Sequence, residues 1–458
     1  MLLLRNLTIE SVDLDAQGLA HAEDGKVVFV ENALFGERVD VELTRSKASY
    51  AKGRAVQWHC QSSQRVSPKC PHFGVCGGCA MQHIDALAQL AIKQRVLEDN
   101  FWHIGKLKAE QWLPPLDGPR WGYRTRARLT ARWVDKKGGM LLGFHERKSS
   151  YVAVMHSCEI LPPRVSHMLP ALKALLGSLS IARRIPQAEL AVGESQVSGT
   201  ASAVPDTIVW VLRILEPLTD QDEEKLKAFA DHWQVQFWLQ PGGPQTAALF
   251  YPRNAPALAY FLPEFELRMP FSPVDFTQVN PAINRIMVKR AIDFLAPQAN
   301  ERIADFFCGL GNFTLALARR AGQVVGFEGS KALTDRAMNN ASLHGLQERV
   351  SFETCNLFDM TPEWLRTLGR FDRMLVDPPR EGAQALCQSL AALHQSENLG
   401  DHSLLPKRLV VVSCNPATLA RDAAILVHEG GWCLRQAGII NMFPHTAHVE
   451  SMAVFERA

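Results

Sequence analysis

The 458-residue sequence contains no apolar run that approaches the ~18 residues needed to cross a membrane as a helix. Its first residues, Met1 to Leu4, are apolar, but Arg5 and Asn6 follow at once, so they do not read as the hydrophobic region of a secretory leader. Net charge is nearly absent, at +2, and no internal repeat or low-complexity tract is visible. We therefore expect a cytoplasmic protein that does not contact a membrane.

The bulk composition indicates a soluble globular protein of several domains. Hydrophobic residues make up 47% of the chain and charged residues 21%. A chain of this length is too long to fold around one hydrophobic core, so two to four domains are expected. The ten cysteines of a cytosolic chain are more typical of metal binding or catalysis than of a disulfide framework.

Positive charge is concentrated in the front part of the chain. Residues 1–158 carry more Lys and Arg than Asp and Glu, and the remainder carries the opposite excess. A basic region on a nearly neutral protein indicates a polyanionic partner that is bound at one end. Ordinary surface scatter of charge is the alternative interpretation.

Residues 1–60 are predicted to form the short strands of a small barrel. Val39, Val41 and Leu43 alternate with polar residues, which is the pattern of a half-buried strand. Basic residues then surround Tyr50, namely Arg45, Lys47, Lys52 and Arg54. This pattern is typical either of a groove for single-stranded nucleic acid or of a solvated strand face.

The stretch from 120 to 148 is strongly basic, with only Asp135 and Glu146 opposing its Lys and Arg residues. Aromatic residues are interleaved with the charges, and three of the arginines are predicted to share one strand face. Phosphate neutralisation combined with base stacking is how proteins hold unstacked RNA. The pattern favours an RNA-binding surface over a solvated sheet, and the candidate residues are Arg124, Arg126, Arg128 and Arg132.

Cys70, Cys76 and Cys79 form the pattern Cys-x5-Cys-x2-Cys, with three glycines between them. Glycines let the backbone wrap around a compact centre and direct several thiolates inward. A fourth ligand is needed, and Cys158 is the best candidate although it is remote in sequence. The spacing predicts a metal site and leaves the choice between zinc and an iron–sulfur cluster open.

From about residue 270 onward, strands alternate with helical patterns, which indicates an α/β fold with a doubly wound parallel sheet. The segment from Asp305 to Thr314 reads as a strand end, a turn with Gly309 and Gly311, and a helix start, so a ligand could approach the backbone. A second strand ends at Glu328, whose carboxylate could hold two ribose hydroxyls. The pattern fits S-adenosylmethionine as well as a dinucleotide, and a turn that serves packing only is the alternative.

Polar residues also follow the later strands of this region. Asn356, Asp377 and Cys414 come after the third, fourth and fifth predicted strands. Open α/β sheets bind ligands at the carboxyl ends of their strands. We therefore expect Asp305, Glu328, Asp377 and Cys414 to line one rim of the sheet.

Two amides and one thiol–carboxylate pair complete the set of candidates. The amides of Gln278 and Asn280 match the edge of uracil or the methionine end of a cofactor. For Asn280, the alternative interpretation is that it caps the following helix. Cys414 lies in the turn S-C-N-P, and Glu450 lies in H-T-A-H-V-E-S-M. A thiolate that adds to carbon 6 of uracil makes carbon 5 nucleophilic, and a carboxylate can then remove the carbon 5 proton.

Several motifs, in order along the chain, resemble the RNA uracil-carbon-5 methyltransferases: F-S-P-V-D-F-T-Q-V-N (271–280), D-F-F-C-G-L-G-N-F-T, D-P-P-R, S-C-N-P and H-T-A-H-V-E-S-M. The resemblance covers almost the whole chain and is greatest to bacterial large-subunit ribosomal RNA enzymes with a TRAM domain and an iron–sulfur cluster. It implies a TRAM-type OB-like β-barrel at 1–60 that binds RNA. It also implies a mixed α+β central domain at 61–268 that carries the cluster and binds RNA, and an S-adenosylmethionine-dependent Rossmann-like methyltransferase domain at 269–458.

The resemblance also implies roles for individual residues. Cys414 would be the nucleophile, Glu450 the general base and Asp377 an orienting residue. Cys70, Cys76, Cys79 and Cys158 would bind a [4Fe-4S] cluster. The residues implied to surround S-adenosylmethionine are Gln278, Asp305, Phe307, Gly309, Gly311, Asn312, Glu328, Asn356 and Asp377. The implied reaction is methylation of one uridine of 23S ribosomal RNA by a monomeric enzyme.

Three other interpretations are weighed against this one. The same chemistry could act on another ribosomal uridine or on transfer RNA, but the simpler transfer-RNA enzymes lack the barrel and the cysteine cluster by resemblance. A radical enzyme with a TRAM domain would use Cys-x3-Cys-x2-Cys, and this chain has x5. A non-catalytic RNA-binding protein would not need to retain Cys414, Asp377 and Glu450.

Overall fold

The computed structural model describes residues 2–195, 206–397 and 404–457. Its strands form a six-stranded sheet near the N-terminus, a second six-stranded sheet, a two-stranded sheet and an eight-stranded sheet. Among the described residues, no helix is long and apolar enough to cross a membrane.

The N-terminal sheet has the strand order β1-β5-β6-β4-β3-β2. Its strands are β1 (Leu3–Thr8), β2 (Ser11–Val12), β3 (Gln17–His21), β4 (Val27–Glu31), β5 (Arg38–Ser46) and β6 (Tyr50–Cys60). Val28, Val30, Val39 and Val41 are completely buried and form its core. The alternation of apolar residues on β5 is therefore explained by burial of one face.

The middle of the chain builds the second sheet, in the order β13-β12-β11-β10-β8-β9. The elements of this part are α1 (Ala86–Asn100), β7 (Gln111–Trp112), β8 (Arg126–Val134), β9 (Gly139–Gly143), α2 (Pro163–Ser178), β10 (Gln187–Gly193), β11 (Thr207–Arg213), α3 (Asp220–Trp233), β12 (Gln236–Gln240) and β13 (Ala248–Tyr251). Helix α2 packs its buried face, with Met168 and Leu172, onto this sheet around Trp210.

The C-terminal part begins with the hairpin β14 (Ala259–Leu262) and β15 (Leu267–Pro270). It continues with α4 (Pro281–Leu295), β16 (Arg302–Phe306), α5 (Thr314–Ala318), β17 (Gln323–Glu328), α6 (Lys331–Leu343), β18 (Val350–Thr354), α7 (Pro362–Thr367), β19 (Arg373–Val376), α8 (Gln384–Glu397), β20 (Arg408–Ser413), α9 (Pro416–His428), β21 (Trp432–Ile440) and β22 (Glu450–Arg457). The sheet order is β18-β17-β16-β19-β20-β22-β21-β7, and β16 to β20 are parallel. Apolar layers cover both faces of the sheet, as expected for a doubly wound fold.

Part of the middle region packs against this C-terminal sheet rather than against its own. Strand β7 adds to the edge at β21, and Leu97 and Phe101 at the end of α1 are completely buried in the core of the C-terminal sheet. Asp85 caps α1 by accepting the backbone N–H of Leu87 at 2.9 Å. The predicted domain boundaries stay predictions, but the segment from 86 to 112 contributes physically to the C-terminal unit.

The loop before β5 contains a buried ion pair that supports a first prediction. Glu37 is completely buried, and its carboxylate accepts two guanidinium hydrogen bonds from Arg65 at 2.7 and 2.8 Å and the N–H of Leu34 at 2.8 Å. Burial alone would raise the pKa of Glu37, but these donors outweigh it and the pKa is lowered. The carboxylate is therefore ionised and paired in the folded protein.

Replacing Glu37 by Gln leaves the Arg65 guanidinium without its partner charge, so we expect a loss of about 3 to 5 kcal/mol. The measurement is hydrogen exchange of the β5 and β6 amides, which reports the opening of this sheet. The matched control is Glu42→Gln, which removes the exposed pair with Arg54 and should cost less than about 1 kcal/mol. Equal effects of the two substitutions would contradict the prediction.

Candidate active site

A cleft of about 550 Å³ opens at the carboxyl ends of the parallel strands. Most of the predicted site residues line it: Gln278, Phe307, Gly309, Asn312, Glu328, Asn356, Asp377, Cys414 and Glu450. These residues come from different strands, and the parallel sheet brings them together because the carboxyl ends of its strands share one edge. Of the predicted catalytic and cofactor-binding residues, Asp305 and Gly311 do not line the cleft.

The glycine turn after β16 holds the acid at the end of β17. Gly309 and Gly311 have φ of +56° and +91°, a conformation that favours glycine. The N–H of Gly309 donates to one carboxylate oxygen of Glu328 at 3.1 Å, and the N–H of Ser330 donates to the other at 3.0 Å. Glu328 is therefore fixed at the edge of the cleft, as a ligand for hydroxyl groups must be.

Asp305 lies completely buried behind this turn. One of its carboxylate oxygens accepts the hydroxyl of Thr314 at 2.6 Å, and the other has no partner among the described residues. Burial raises the pKa of Asp305 to about 8, so a proton resides on it near neutral pH. In the structure Asp305 anchors the start of α5, and its predicted cofactor contact stays a prediction.

Asn312 belongs to a hydrogen-bond network that the sequence did not reveal. Its amide exchanges two hydrogen bonds of 3.0 Å with Asn284 of α4, and it accepts the Tyr260 hydroxyl at 2.9 Å. Tyr260 also lines the cleft. In contrast, Asn280 caps α4 by accepting the N–H of Ile283, so helix capping is its structural role.

Aromatic rings form the mouth of the cleft. Phe276 and Phe358 line it and are nevertheless 72% and 51% exposed. The ring centroids of Phe307 and Phe358 are 5.8 Å apart. Exposed aromatic faces beside polar groups provide stacking surfaces for flat heterocycles such as adenine or uracil.

Antiparallel pairing of β20 and β22 explains why Cys414 and Glu450 meet. Ser413 pairs with Ser451, so the next residue in each direction, Cys414 on one strand and Glu450 on the other, comes opposite. Asn415 caps α9 by accepting the N–H of Ala417 at 3.1 Å, which fixes the turn that follows Cys414. Cys414, which directly follows β20, and Glu450, the first residue of β22, are thus brought next to each other in the cleft.

Two carboxyl groups, the buried Glu450 and the half-buried Asp377, act on the acidity of the thiol. Burial raises the pKa of Asp377 to about 7, and burial together with the charge of Asp377 raises the pKa of Glu450 well above its usual range. Burial and these two carboxylates raise the pKa of Cys414 to about 11, while Arg380 acts in the opposite direction. The thiol of the free protein is therefore protonated near neutral pH.

Arg380 and His448 are cleft residues to which the sequence did not assign a role. An Arg380 N–H points to Nδ1 of His448 at 3.3 Å, and the His448 ring lies edge-on to Phe443, with their centroids 5.5 Å apart. All three line the cleft. The signal was present, since Arg380 ends the D-P-P-R motif and His448 precedes Glu450 by two residues.

The four predicted cluster cysteines line one small cavity in the front part of the molecule, although Cys158 is remote in sequence. Cys76 and Cys158 are buried, and Cys70 and Cys79 are partly buried. The backbone N–H of Gly78 lies 3.4 Å from the Cys76 sulfur, which is a typical setting for a thiolate ligand. Within 2–195, 206–397 and 404–457, however, no group of three or more His, Cys, Asp or Glu side chains forms a metal-ion site as it stands.

The predicted RNA-binding arginines divide into two groups. Arg128 and Arg132 are exposed on one face of β8, and Arg128 pairs with Glu189 at 3.1 Å. Arg126 shares that face but donates to the carbonyl of Asp275 at 2.7 Å, beside the cleft residue Phe276. Arg124 precedes the strand and donates to the carbonyl of Arg126 at 2.9 Å, so these two guanidinium groups are already engaged within the protein.

The parallel sheet, its glycine turn and the rim with a thiol opposite a carboxylate define an α/β enzyme of the methyltransferase class. Residues 266–458 match the family described as tRNA (Uracil-5-)-methyltransferase, and residues 5–56 match the TRAM domain. The chain belongs to the family of RNA uracil-5 methyltransferases, and the predicted family and fold class are confirmed.

Curated relatives show which members of this family the chain is similar to. It is 59% identical over 450 residues, 98% of this chain and 92% of the relative, to the 23S rRNA (uracil(1939)-C(5))-methyltransferase RlmD of Bordetella pertussis. A relative of the same name from Cupriavidus necator is 56% identical and is covered completely, against 98% of this chain. The solved structure of Pyrococcus abyssi tRNA (uracil-54, C5)-methyltransferase with S-adenosyl-L-homocysteine shares the fold, with a TM-score of 0.69, 20% identity and coverage of 99% and 100%.

The charges around Cys414 predict its reactivity. Asp377 and Glu450 disfavour the thiolate when they are ionised, so Glu450→Gln should lower the pKa of Cys414 and speed its alkylation by iodoacetamide at pH values above the raised pKa of Glu450. Arg380 carries a positive charge that favours the thiolate, so Arg380→Met should raise the pKa of Cys414 and slow its alkylation.

The measurement is peptide mass spectrometry, with the exposed Cys60 of the same molecule as the internal reference. We expect about a tenfold change for each unit by which the thiol pKa moves, until the thiol is fully ionised. An alkylation rate in Glu450→Gln that equals the wild-type rate would show that the carboxyl does not act on the thiol.

Proposed function

We propose that the protein transfers a methyl group from S-adenosylmethionine to carbon 5 of a uridine in 23S ribosomal RNA and thereby forms 5-methyluridine. The observation that carries the proposal is the placement of Cys414 opposite Glu450 in a cleft that also holds the glycine turn and Glu328. The names of the relatives at 56% to 59% identity support the nucleotide at position 1939 as the target.

The chemistry follows from the residues in the cleft. The Cys414 thiol first loses its proton to solvent water. Its sulfur then forms a bond to carbon 6, and the electron pair of the 5,6 double bond moves toward carbon 4 and its oxygen. Carbon 5 then takes the methyl group that S-adenosylmethionine supplies. The Glu450 carboxylate removes the carbon 5 proton, the double bond re-forms, and the Cys414 sulfur leaves. The raised pKa of Glu450 makes its ionised form a stronger base for this step.

The residues of the cleft fit a nucleoside with a charged amino-acid tail. The carboxylate of Glu328, held by two backbone N–H groups, suits the ribose hydroxyls. Asn356 and Phe358 provide an amide and an exposed ring for adenine, while Gln278 and Asn312 provide amides on the other side of the cleft. Asp377, beside the thiol, would orient the uracil ring or the methyl donor.

The RNA would contact the front part of the protein while the target base leaves its stack and enters the cleft. The exposed Arg128 and Arg132 support such a surface, and so do the lysines of the barrel that lie over aromatic rings, Lys52 at 5.7 Å from Phe29 among them. We further propose domains at 1–60, 61–268 and 269–458, a monomeric enzyme and a cytoplasmic location.

Transfer RNA is the rival substrate, and the architecture does not decide against it. The Pyrococcus abyssi structure extends over 99% of this chain and is named as a transfer-RNA enzyme. The fold shared with that structure means that the barrel by itself does not disfavour transfer RNA, whereas the expectation from the cysteine cluster stays a prediction. The high identity to relatives named for 23S ribosomal RNA is what favours the ribosomal substrate.

The experiment is methylation of a 23S ribosomal RNA fragment and of transfer RNA, each with 5-fluorouridine as a trapping variant. Fluorine cannot leave as a proton, so a covalent complex of protein and RNA should accumulate and should be absent in Cys414→Ala. We expect Cys414→Ala to lose more than about 1000-fold in rate and Glu450→Gln about 100-fold or more.

Each outcome has one meaning for the proposal. An adduct with transfer RNA only would keep the chemistry and change the substrate. No adduct with either RNA would overturn the proposed function. Cys433→Ala is the matched control, because this cysteine lies on β21 outside the cleft lining and its loss should leave the rate unchanged.

We also propose that Cys70, Cys76, Cys79 and Cys158 hold a [4Fe-4S] cluster. The fit rests on the donor set, since four thiols around one cavity are the ligands that such a cluster takes. The apolar surroundings, with Phe144, Met155 and Ile160, would limit access of water. When bound, the cluster would link a segment near residue 158 to the loop from 70 to 79.

Anaerobic reconstitution with iron and sulfide tests the cluster proposal. We expect about four irons and four sulfides per chain in the wild-type protein and in Cys60→Ala, with a broad visible absorbance. Cys158→Ala should bind less iron or lose the cluster on exposure to air. Tight binding of one zinc ion with no sulfide would contradict the proposal.

A further inference from the structure

The segment from Ile439 to His445 leads from β21 into the cleft, and helix α1 contacts it at alternate residues. The N–H of Ile439 donates to the side-chain oxygen of Gln94, at 3.3 Å. The Lys93 ammonium donates to the side-chain oxygen of Asn441 and to the carbonyl of Phe443, both at 2.9 Å. One helix thus binds three successive odd-numbered positions of the segment, from the end of β21 into the turn that follows it.

A fourth odd-numbered position is bound by Gln89, one helical turn before Lys93. Its side-chain oxygen accepts the N–H of His445 at 3.1 Å, and its amide nitrogen lies 3.2 Å from Nδ1 of the same residue. Residues four apart on a helix lie on the same face, so Gln89 and Lys93 present one polar stripe to the segment. His445 has a φ of +66°, an unfavourable backbone conformation that requires such support.

Lys93 is unusual because its side chain is completely buried. Burying an ammonium group is costly unless its hydrogen bonds are satisfied, and here the acceptors are an amide and a carbonyl rather than a carboxylate. Asn441 extends this hydrogen-bond network. Its amide donates to Asp117 at 2.8 Å, and Asp117 pairs with Arg120 at 2.7 Å. The free-energy cost of burying this ammonium group indicates that Lys93 does more than pack against its neighbours.

The segment and the residues after it reach the cleft. Phe443 within it and His448 after it line the cleft, and Glu450 begins β22 five residues after His445. The hydrogen bonds of Lys93 go to the Asn441 side chain and the Phe443 carbonyl, so they hold the backbone of the segment, and the charge of Lys93 also lowers the pKa of His448. We propose that Lys93 is a positioning residue that fixes the 439–445 segment and thereby sets the position of His448 and Glu450 against Cys414.

The inference rests on the proposed function for its kinetic test but not for its structural test. In Lys93→Met, the apolar chain fills the same space while Asn441 and Phe443 lose their donor. We expect hydrogen exchange of the 441–449 amides to rise at least about tenfold, with the amides of β16 and β17 unchanged. The exposed Lys108, 15 residues further along, provides the matched control Lys108→Met, which should change neither.

The kinetic readout separates positioning from general damage. If Glu450 is displaced, proton removal slows, so kcat for methylation should fall about tenfold or more while KM for S-adenosylmethionine changes less than about twofold. The covalent RNA adduct on ordinary uridine should also accumulate, as it should in Glu450→Gln. Equal losses in cofactor affinity and rate, or unchanged kcat with unchanged exchange, would overturn the inference.

A second variant keeps the test decisive if Lys93→Met does not fold. Asn441→Ala removes one acceptor and leaves the ammonium bonded to Phe443, so it should show the same changes in smaller degree. The double variant should lose less than the sum of the two, because both act through one contact. Strictly additive losses would contradict a shared contact. If the wild-type protein is inactive but Lys93→Met shows the predicted change in hydrogen exchange, the proposed function is overturned and the positioning role of Lys93 is not.

Discussion

The antiparallel pairing of β22 with β20 is the constraint on which the active site depends. The register that joins Ser413 to Ser451 brings a thiol and a carboxyl group together at the end of a buried sheet. This placement opposes the local electrostatics, because burial disfavours the charged forms of Asp377, Cys414 and Glu450, and Asp377 adds a like charge beside Glu450. Only the backbone ladder of the sheet, with apolar layers on both faces, is rigid enough to hold these groups together.

The front part of the molecule is a structural component of the same site. The carbonyl oxygen of His445 accepts the N–H groups of Ala80 and Met81, directly after the proposed cluster ligand Cys79, at 2.9 and 3.0 Å. The Tyr123 hydroxyl donates to the carbonyl of Pro444 at 3.0 Å, and the Trp121 ring stacks on that of His445, with centroids 3.9 Å apart. The cysteine loop and the start of the basic stretch therefore pack against the loop that carries His448, so the proposed RNA-binding stretch and the proposed catalytic residues depend on the same contacts.

Much of the site could be predicted because it follows from a local rule. Polar residues at the ends of parallel strands share one rim, and Glu328, Asp377 and Cys414 obey that rule without any knowledge of the rest of the chain. Asp305 obeys the same rule and yet is withdrawn behind the glycine turn, because Thr314 offers it a hydrogen bond inside the protein. The position of a residue along a strand was predictable, whereas the choice between facing the ligand and facing the core depends on partners that are not adjacent in sequence.

The residues that sequence reasoning missed are those whose partners lie hundreds of positions away. Lys93 and Gln89 read as ordinary helix residues until Asn441 and His445 are placed beside them. Arg126 stays a predicted RNA ligand, but the sequence did not reveal that it donates a hydrogen bond to the carbonyl of Asp275. A buried lysine at helical spacing from Leu90 and Leu97 is nevertheless a usable signal, because an ammonium on an apolar face must find acceptors in whatever packs there. In this protein those acceptors belong to the segment that leads to Glu450, so the cost of burying one charge is coupled to the position of the proposed general base.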